Sequence, residues 1–310
     1  TPGYSQKFGE AADQVTVSAG GGTVALLSKT GGIDLGAASR IAIGGMTGKA
    51  GTLKLIAAQG TVALDGTIDA TAPDAGASFT LDNGLGSFDF ASFAASSSSA
   101  FTGDVAIRTG AGDLILNAGQ SLKLASLRLT ADGGAASING TIDTSGINGG
   151  DIALYARDGV ILGQTAVVDT HANGYADTDT RQASAGDITV GVSGSGTISV
   201  ANGARIDMGA RRLNDRLVSH QQIDPRTQNR ITAYTYIEAD KGGALVLRAP
   251  VISQPAGDTV NISFAGAVTG ARSVTVEGYR SYDLASIAAN NAFTGVTVVN
   301  NVVTLDVGAT

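Results

Sequence analysis

Both histidines of this chain, His171 and His220, and three of its seven tyrosines, Tyr175, Tyr234 and Tyr236, fall within residues 171–186 and 209–242. The longer stretch also carries Arg211, Arg212, Arg216, Arg226, Arg230 and Lys241 against Asp215, Asp224, Glu238 and Asp240. It is therefore net positive, on a chain of formal charge −7. Tyrosine and arginine join a planar body to a polar head and are favoured in recognition surfaces. Tyr175, Arg211, Arg212, Arg216, His220, Arg226, Arg230, Tyr234 and Tyr236 are accordingly the candidate binding residues, for a glycan or a protein. The plain alternative is a pair of polar flaps or short β-arms that only pack on the body.

Catalytic chemistry finds less support. Hydrolysis of a glycoside needs two carboxylates flanking the bond at a set separation. Asp169, Asp177 and Asp179 lie near His171, and Asp207 follows. Aspartates in Gly- and Thr-rich segments are commonly turn formers. The reading is that the chain is not an enzyme. The alternative is a polysaccharide-acting hydrolase or lyase using Asp169, Asp177, Asp207 and His171. There is no G-x-S-x-G, no Walker loop and no H-E-x-x-H.

Composition closes other routes. The absence of cysteine excludes disulfides, thiolate nucleophiles and Cys-based metal sites. Two histidines argue against a multi-His centre, and no metal or cofactor is expected, though a carboxylate site for calcium stays open. The acidic balance is opposite to that of a phosphate-neutralising surface, so nucleic acid is not an expected partner. No stretch approaches the roughly 20 apolar residues of a membrane-spanning helix. Charged residues make up only 15%, yet 43% are apolar, which favours a folded chain over a disordered one.

The elements that must position these residues are repeats. A unit of Gly, a polar residue and apolar–x–apolar recurs at Gly22, Gly51, Gly60, Gly66, Gly103, Gly112, Gly140, Gly150, Gly186 and Gly196. Its internal period of two is that of a strand, and recurrence through the chain marks a solenoid. The units group in threes, starting at Val24, Ile33 and Ile41; Leu53, Val62 and Ile68; Val105, Leu114 and Leu122; Leu127, Ala136 and Ile142; Ile152, Val160 and Val167; and Ile188, Ile198 and Ile206. First strands lie 29, 22 and 25 residues apart where nothing is inserted (24 to 53, 105 to 127, 127 to 152). This predicts an all-β chain, a right-handed parallel β-helix with three short strands per coil. Val24/Leu26, Leu53/Leu55, Val62/Leu64, Ile152/Leu154 and Ile198/Val200 should point inward. Glycine at the corners would supply the positive φ of tight turns. An antiparallel sandwich is the competing architecture.

The expected organisation is one elongated segment over 1–310 with excursions at 78–102, 171–186 and 209–242. The first holds Phe79, Phe88, Phe90, Phe93 and Phe101, five of the eight phenylalanines. They should form an apolar patch docking the excursion, or else an exposed aromatic contact. The other two leave after third strands of consecutive coils, so stacking should set them side by side at one corner.

The run ADQVTVSAGGGTVALLSKTGGIDLGAASRIAIGG from Ala12, then GTLKLIAAQGTVALDGTIDATA, resembles the repeat shaft of filamentous-haemagglutinin-like exoproteins. GTIDTSGINGGDIALYARDGVILG, GARIDMGA and SVTVEGYRSYD are similar in style, so the resemblance covers most of residues 12–285. It implies a shaft segment of a secreted, cell-surface bacterial protein acting in adhesion, aggregation or biofilm formation. It also implies export by two-partner secretion through an outer-membrane barrel. The Asn-Pro-Asn-Gly-type motif of that family's secretion domain does not occur here. The expectation is thus part of a longer polypeptide, with that domain elsewhere. An autotransporter passenger would share the shaft. Whether residues 295–310 form a last coil stays open at this point.

Overall fold

A short unit of period two can bury its apolar side chains by stacking, each strand bonding to its counterpart one coil later. The computed structural model describes residues 5–8, 15–18, 20–46, 48–97, 99–176, 179, 181–255, 257–280, 296–299 and 302–305. The first strands of successive coils are Thr23–Ser28, Thr52–Ala57, Ser78–Asn83, Asp104–Thr109, Ser126–Ala131, Ile152–Ala156, Ile188–Val192 and Ala244–Gln254. They form one continuous parallel run. Second strands Leu114–Leu116, Ala135–Ile138, Gly159–Leu162, Thr197–Val200 and Ile262–Phe264 make another parallel sheet. Third strands Ser121–Lys123, Thr141–Asp143, Val167–Asp169, Arg205–Asp207 and Ala267–Thr269 make a third. In the first two coils, Ile33–Leu35 pairs with Val62–Leu64, and Arg40–Ala42 with Thr67–Asp69, as separate two-stranded pieces. The fold is the parallel β-helix that the triplets predict.

Register puts like on like. Leu53, Phe79, Val105, Leu127, Ile152, Ile188 and Leu245 occupy one inward row, and all are buried. Each such side chain contributes roughly 1.5–3 kcal/mol by leaving water. Leu27, Ile115 and Ile161 also face out, but outward positions carry most of the strands' charged residues. Arg108, for example, bridges Asp82 and Asp132 on the flanking coils at 2.9 and 2.6 Å.

Corner glycines such as Gly119 and Gly203 do supply positive φ, at 80° and 101°, but most of the glycines that open the units recur for a different reason. Of the ten that open a unit, only Gly112 has a left-handed φ, at 73°. What most of the others meet is the neighbouring coil's backbone. A Cβ at Gly150 would lie 1.6 Å from the Ala125 carbonyl oxygen, and one at Gly51 would lie 1.9 Å from that of Gly22. Coils spaced by about 4.8 Å leave no room there for a side chain.

The aromatic segment divides in two. Ser78–Asn83 is an ordinary first-sheet strand, and only the residues after it depart from the coil. Instead of second and third strands, this coil has the helix Phe90–Ser97. Asp89 caps it, accepting from the Ser92 N–H at 2.9 Å and the Ser92 hydroxyl at 2.6 Å. Phe79, Phe90, Phe93 and Phe101 are buried, with Phe93 stacked 5.1 Å from Phe79 and 5.7 Å from Phe101. The phenylalanines dock the excursion rather than display it.

Asn83 closes the break in the second sheet. Its buried carboxamide accepts from the Val62 N–H at 2.9 Å and donates to the Val62 and Ser87 carbonyls. A side chain thereby takes the place of the absent neighbouring strand.

The first unit, Thr1–Gly278, also contains the antiparallel pair Ser5–Phe8 and Val15–Ser18. Tyr279–Thr310 is a separate unit, in which Val296–Val299 pairs antiparallel with Val302–Leu305. That antiparallel pairing is unlike the parallel ladders of the coils.

Candidate functional site

Third strands end on a row of aspartates, Asp143, Asp169 and Asp207, in register on successive coils. Each turns the chain at the corner. Their Oδ1 atoms accept the N–H two residues on, from Ser145, His171 and Gly209 at 2.8, 2.9 and 3.0 Å. Stacked like charges need compensation. Lys123 supplies it to Asp143 at 2.6 Å, and His171 Nδ1 supplies it to Asp169 at 2.7 Å. Burial pulls the His171 ring down, but the hydrogen bonds to Asp169 and Asn173, with the Asp169 and Asp207 charges, leave it above its ordinary value. His171, Asn173, Asp207 and Arg211 line a shallow groove of about 330 Å³. Asp169 and Asp207 thus serve first as corner formers, and Asp177 lies outside the described residues. Among the described residues no group of three or more His, Asp or Glu side chains could hold a metal ion.

The two later excursions leave this corner on consecutive coils and meet. Ala172 bridges Ala210, Ser184 bridges Lys241, and Ala172, Ala183, Ala185, Tyr175 and Ala210 pack as a small apolar cluster. Arg212 Nη2 donates to the Tyr175 carbonyl, and Arg216 Nη2 donates to that of Asp179 at 2.7 Å. Asp240, buried, accepts the Ala183 N–H at 2.8 Å. Arg181 lies over the Tyr175 ring at 4.0 Å and pairs with Asp179 at 2.6 Å. Its hydrogen bonds hold that carboxyl down to about 2. Tyr175, Arg212 and Arg216, predicted as contact residues, are here the staples that fix the second excursion on the first.

From this base rises an antiparallel ribbon, Arg216–Ile223 with Arg230–Ile237. Alternation sorts its faces. Arg216, Val218, His220 and Gln222 share one face with Ile231, Ala233, Thr235 and Ile237. The foot of that face, Val218 and Ile237, is buried. The other face carries Leu217, Ser219, Gln221 and Ile223 beside Arg230, Thr232, Tyr234 and Tyr236. Leu217 is 66% exposed, Ile223 60%, Tyr234 67% and Tyr236 61%. Arg226 and Arg230 lie exposed at the tip. Beside the foot is a hollow of about 520 Å³ lined by Arg211, Leu213, Asn214, Leu217 and Ser219 among others.

The structure therefore brings Tyr234, Tyr236 and Arg230 together on one face and places His220 on the other. Arg211 stays with His171 at the corner. Leu213, Leu217 and Ile223 were absent from the sequence candidates, although they are among the most exposed apolar side chains. The available signal was period-two alternation with apolar residues in both phases, which a ribbon with a single core face would not need. Among the described residues no helix is long and apolar enough to cross a membrane. Set against protein-family models, curated proteins and solved structures, the chain matches none.

Proposed function

We propose that this chain is a stiff, non-catalytic β-helical stalk segment whose 209–242 arm is its contact element. The observation that carries this reading is the open face of the ribbon. Leu217, Tyr234 and Tyr236 form one patch at the foot of this face, with Ile223 and Arg230 further along it beyond Gln221 and Thr232, and all four apolar residues stay exposed among the described residues. A two-stranded ribbon is at best marginally stable alone in water, and a contiguous apolar patch of this kind marks a contact site. Tyrosine rings and arginine forks suit a glycan or a protein surface. The shaft supports the stalk reading, because bonds along the stack and aliphatic rows stiffen it without metal or disulfide. The repeat style quoted above supports placing the segment in a secreted, filamentous-haemagglutinin-like surface protein of adhesive role. Such a protein would leave the cell through a partner outer-membrane barrel, by way of a domain outside this sequence.

Replacing residues 213–238 by a short Gly-Ser link in the full chain tests the assignment. Glycan and protein arrays would read binding, and circular dichroism would confirm the retained β-helix. Loss of binding with unchanged melting is expected, and equal binding by the shortened chain would refute it.

A further inference from the structure

A second candidate site lies where the third coil lacks its strands. Val62–Leu64 and Thr67–Asp69 pair back to the first coil only, and the next strands of the same kind, Leu114–Leu116 and Ser121–Lys123, belong to separate sheets. Backbone directions along this edge follow from the bonds on its paired side. The Thr61 carbonyl accepts from Ile33, the Asp65 and Thr67 N–H groups donate to Leu35 and Ser39, and the Asp69 carbonyl accepts from Ile43. The alternate residues Val62, Leu64 and Ile68 therefore turn their peptide groups toward the vacated coil. Asn83 satisfies Val62. The peptide groups of Leu64 and Ile68 open into a groove of about 410 Å³ that both residues line.

The opposite wall is the helix, with Phe88, Phe93, Ser92 and Ser96. Among the described residues, the only charged ones lining the groove are Asp65 and Asp89. We propose that this groove is a strand-docking site that takes an extended peptide bearing a basic side chain, added parallel to residues 62–69. An open edge is a template for an added strand, and main-chain bonding of this kind is an established mode of peptide recognition. The chain contains a pattern for the fit. Segment 112–124 supplies the second and third strands of the coil after the gap, and its Lys123 meets Asp143 of the next coil at 2.6 Å. Asp69 ends its strand as Asp143 does, so a lysine in the added strand would meet a carboxylate there too.

The test uses the full chain and a synthetic peptide, GDLILNAGQSLKL, copied from residues 112–124. Saturating peptide should slow amide exchange of Leu64 and Ile68 at least ~10-fold, since bonded amides exchange only through opening. N-methylation at the peptide residues copied from Ile115 and Ser121, whose N–H groups would face the edge, should abolish the effect. N-methylation at those copied from Leu116 and Leu122 should not. Asp69→Asn, at the carboxylate that the register sets beside the peptide's lysine, should weaken the lysine peptide several-fold and leave its Lys→Gln version unchanged. The proposal is overturned if Leu64 and Ile68 gain no protection, if both N-methylated peptides protect equally, or if an oligosaccharide protects and the peptide does not. Arm deletion does not touch this groove, so the two proposals fail separately.

Discussion

Residues 84–102 and 213–238 are both insertions into one stack of coils, and they handle their aromatic side chains in opposite ways. The first replaces two strands of its coil, so it must fill the space those strands would have filled, and Phe90, Phe93 and Phe101 turn inward with Phe79. The second is added after a complete coil, beyond Arg205–Asp207, where the core is already closed by Ile206 and Met208. It has no hole to occupy. Apart from Val218 and Ile237 at its foot, its apolar residues stay outside, and polar staples hold it through Arg212, Arg216 and Asp240. An insertion that substitutes for structure becomes core, whereas one appended to finished structure becomes surface.

The largest effect should come from the inward insertion. Phe93→Ala removes the ring that stacks on Phe79, Phe90 and Phe101 and should cost about 3–5 kcal/mol, read by denaturant unfolding. A cost below about 1 kcal/mol would break the contrast, because residues 84–102 would then be a dispensable flap. Asn83→Ala comes next. It strips the Val62 peptide group of its partner and should cost about 1–3 kcal/mol, with faster amide exchange at Val62 as the local signature. The smallest effect belongs to the outward insertion. Tyr234→Ala combined with Tyr236→Ala should move global stability by no more than ~0.5 kcal/mol while weakening array binding. A large stability loss would mean that the open face of the ribbon is packed after all.

Much of the shaft was legible because its signal is periodic. The residues named as strand starts, such as Val24, Leu53, Leu127 and Ile152, face one another in register. The period also fixed the inward pairs. Ser78–Asn83 escaped notice because its inward Phe79 read as part of an aromatic cluster. The coil of Ala244–Gln254 escaped because Ala244, and not Thr or Asp, follows its glycine. Composition showed that glycine recurs but not why, since crowding between coils is a property of neighbours far apart in the chain. Residue type singled out 209–242, which the structure shows as a two-stranded ribbon on a stapled base. It could not separate Arg212, held at a carbonyl, from Arg230, turned outward, because that depends on which loop lies against which.

One consequence of the third coil concerns force. From Asp104 to Asp207 the stack is joined by three sheets, but between the second and fourth coils only the first sheet is continuous among the described residues. A pull along the stacking direction is shared by three ladders on one side of that point and carried there by one continuous backbone ladder, the phenylalanine plug and isolated bonds such as those of Asn83 and Gln120. Resistance to forced rupture is a matter of rate, and a chain loads its narrowest cross-section first. The break at residues 84–102 is where this segment would yield, leaving the coils that bear the arm intact.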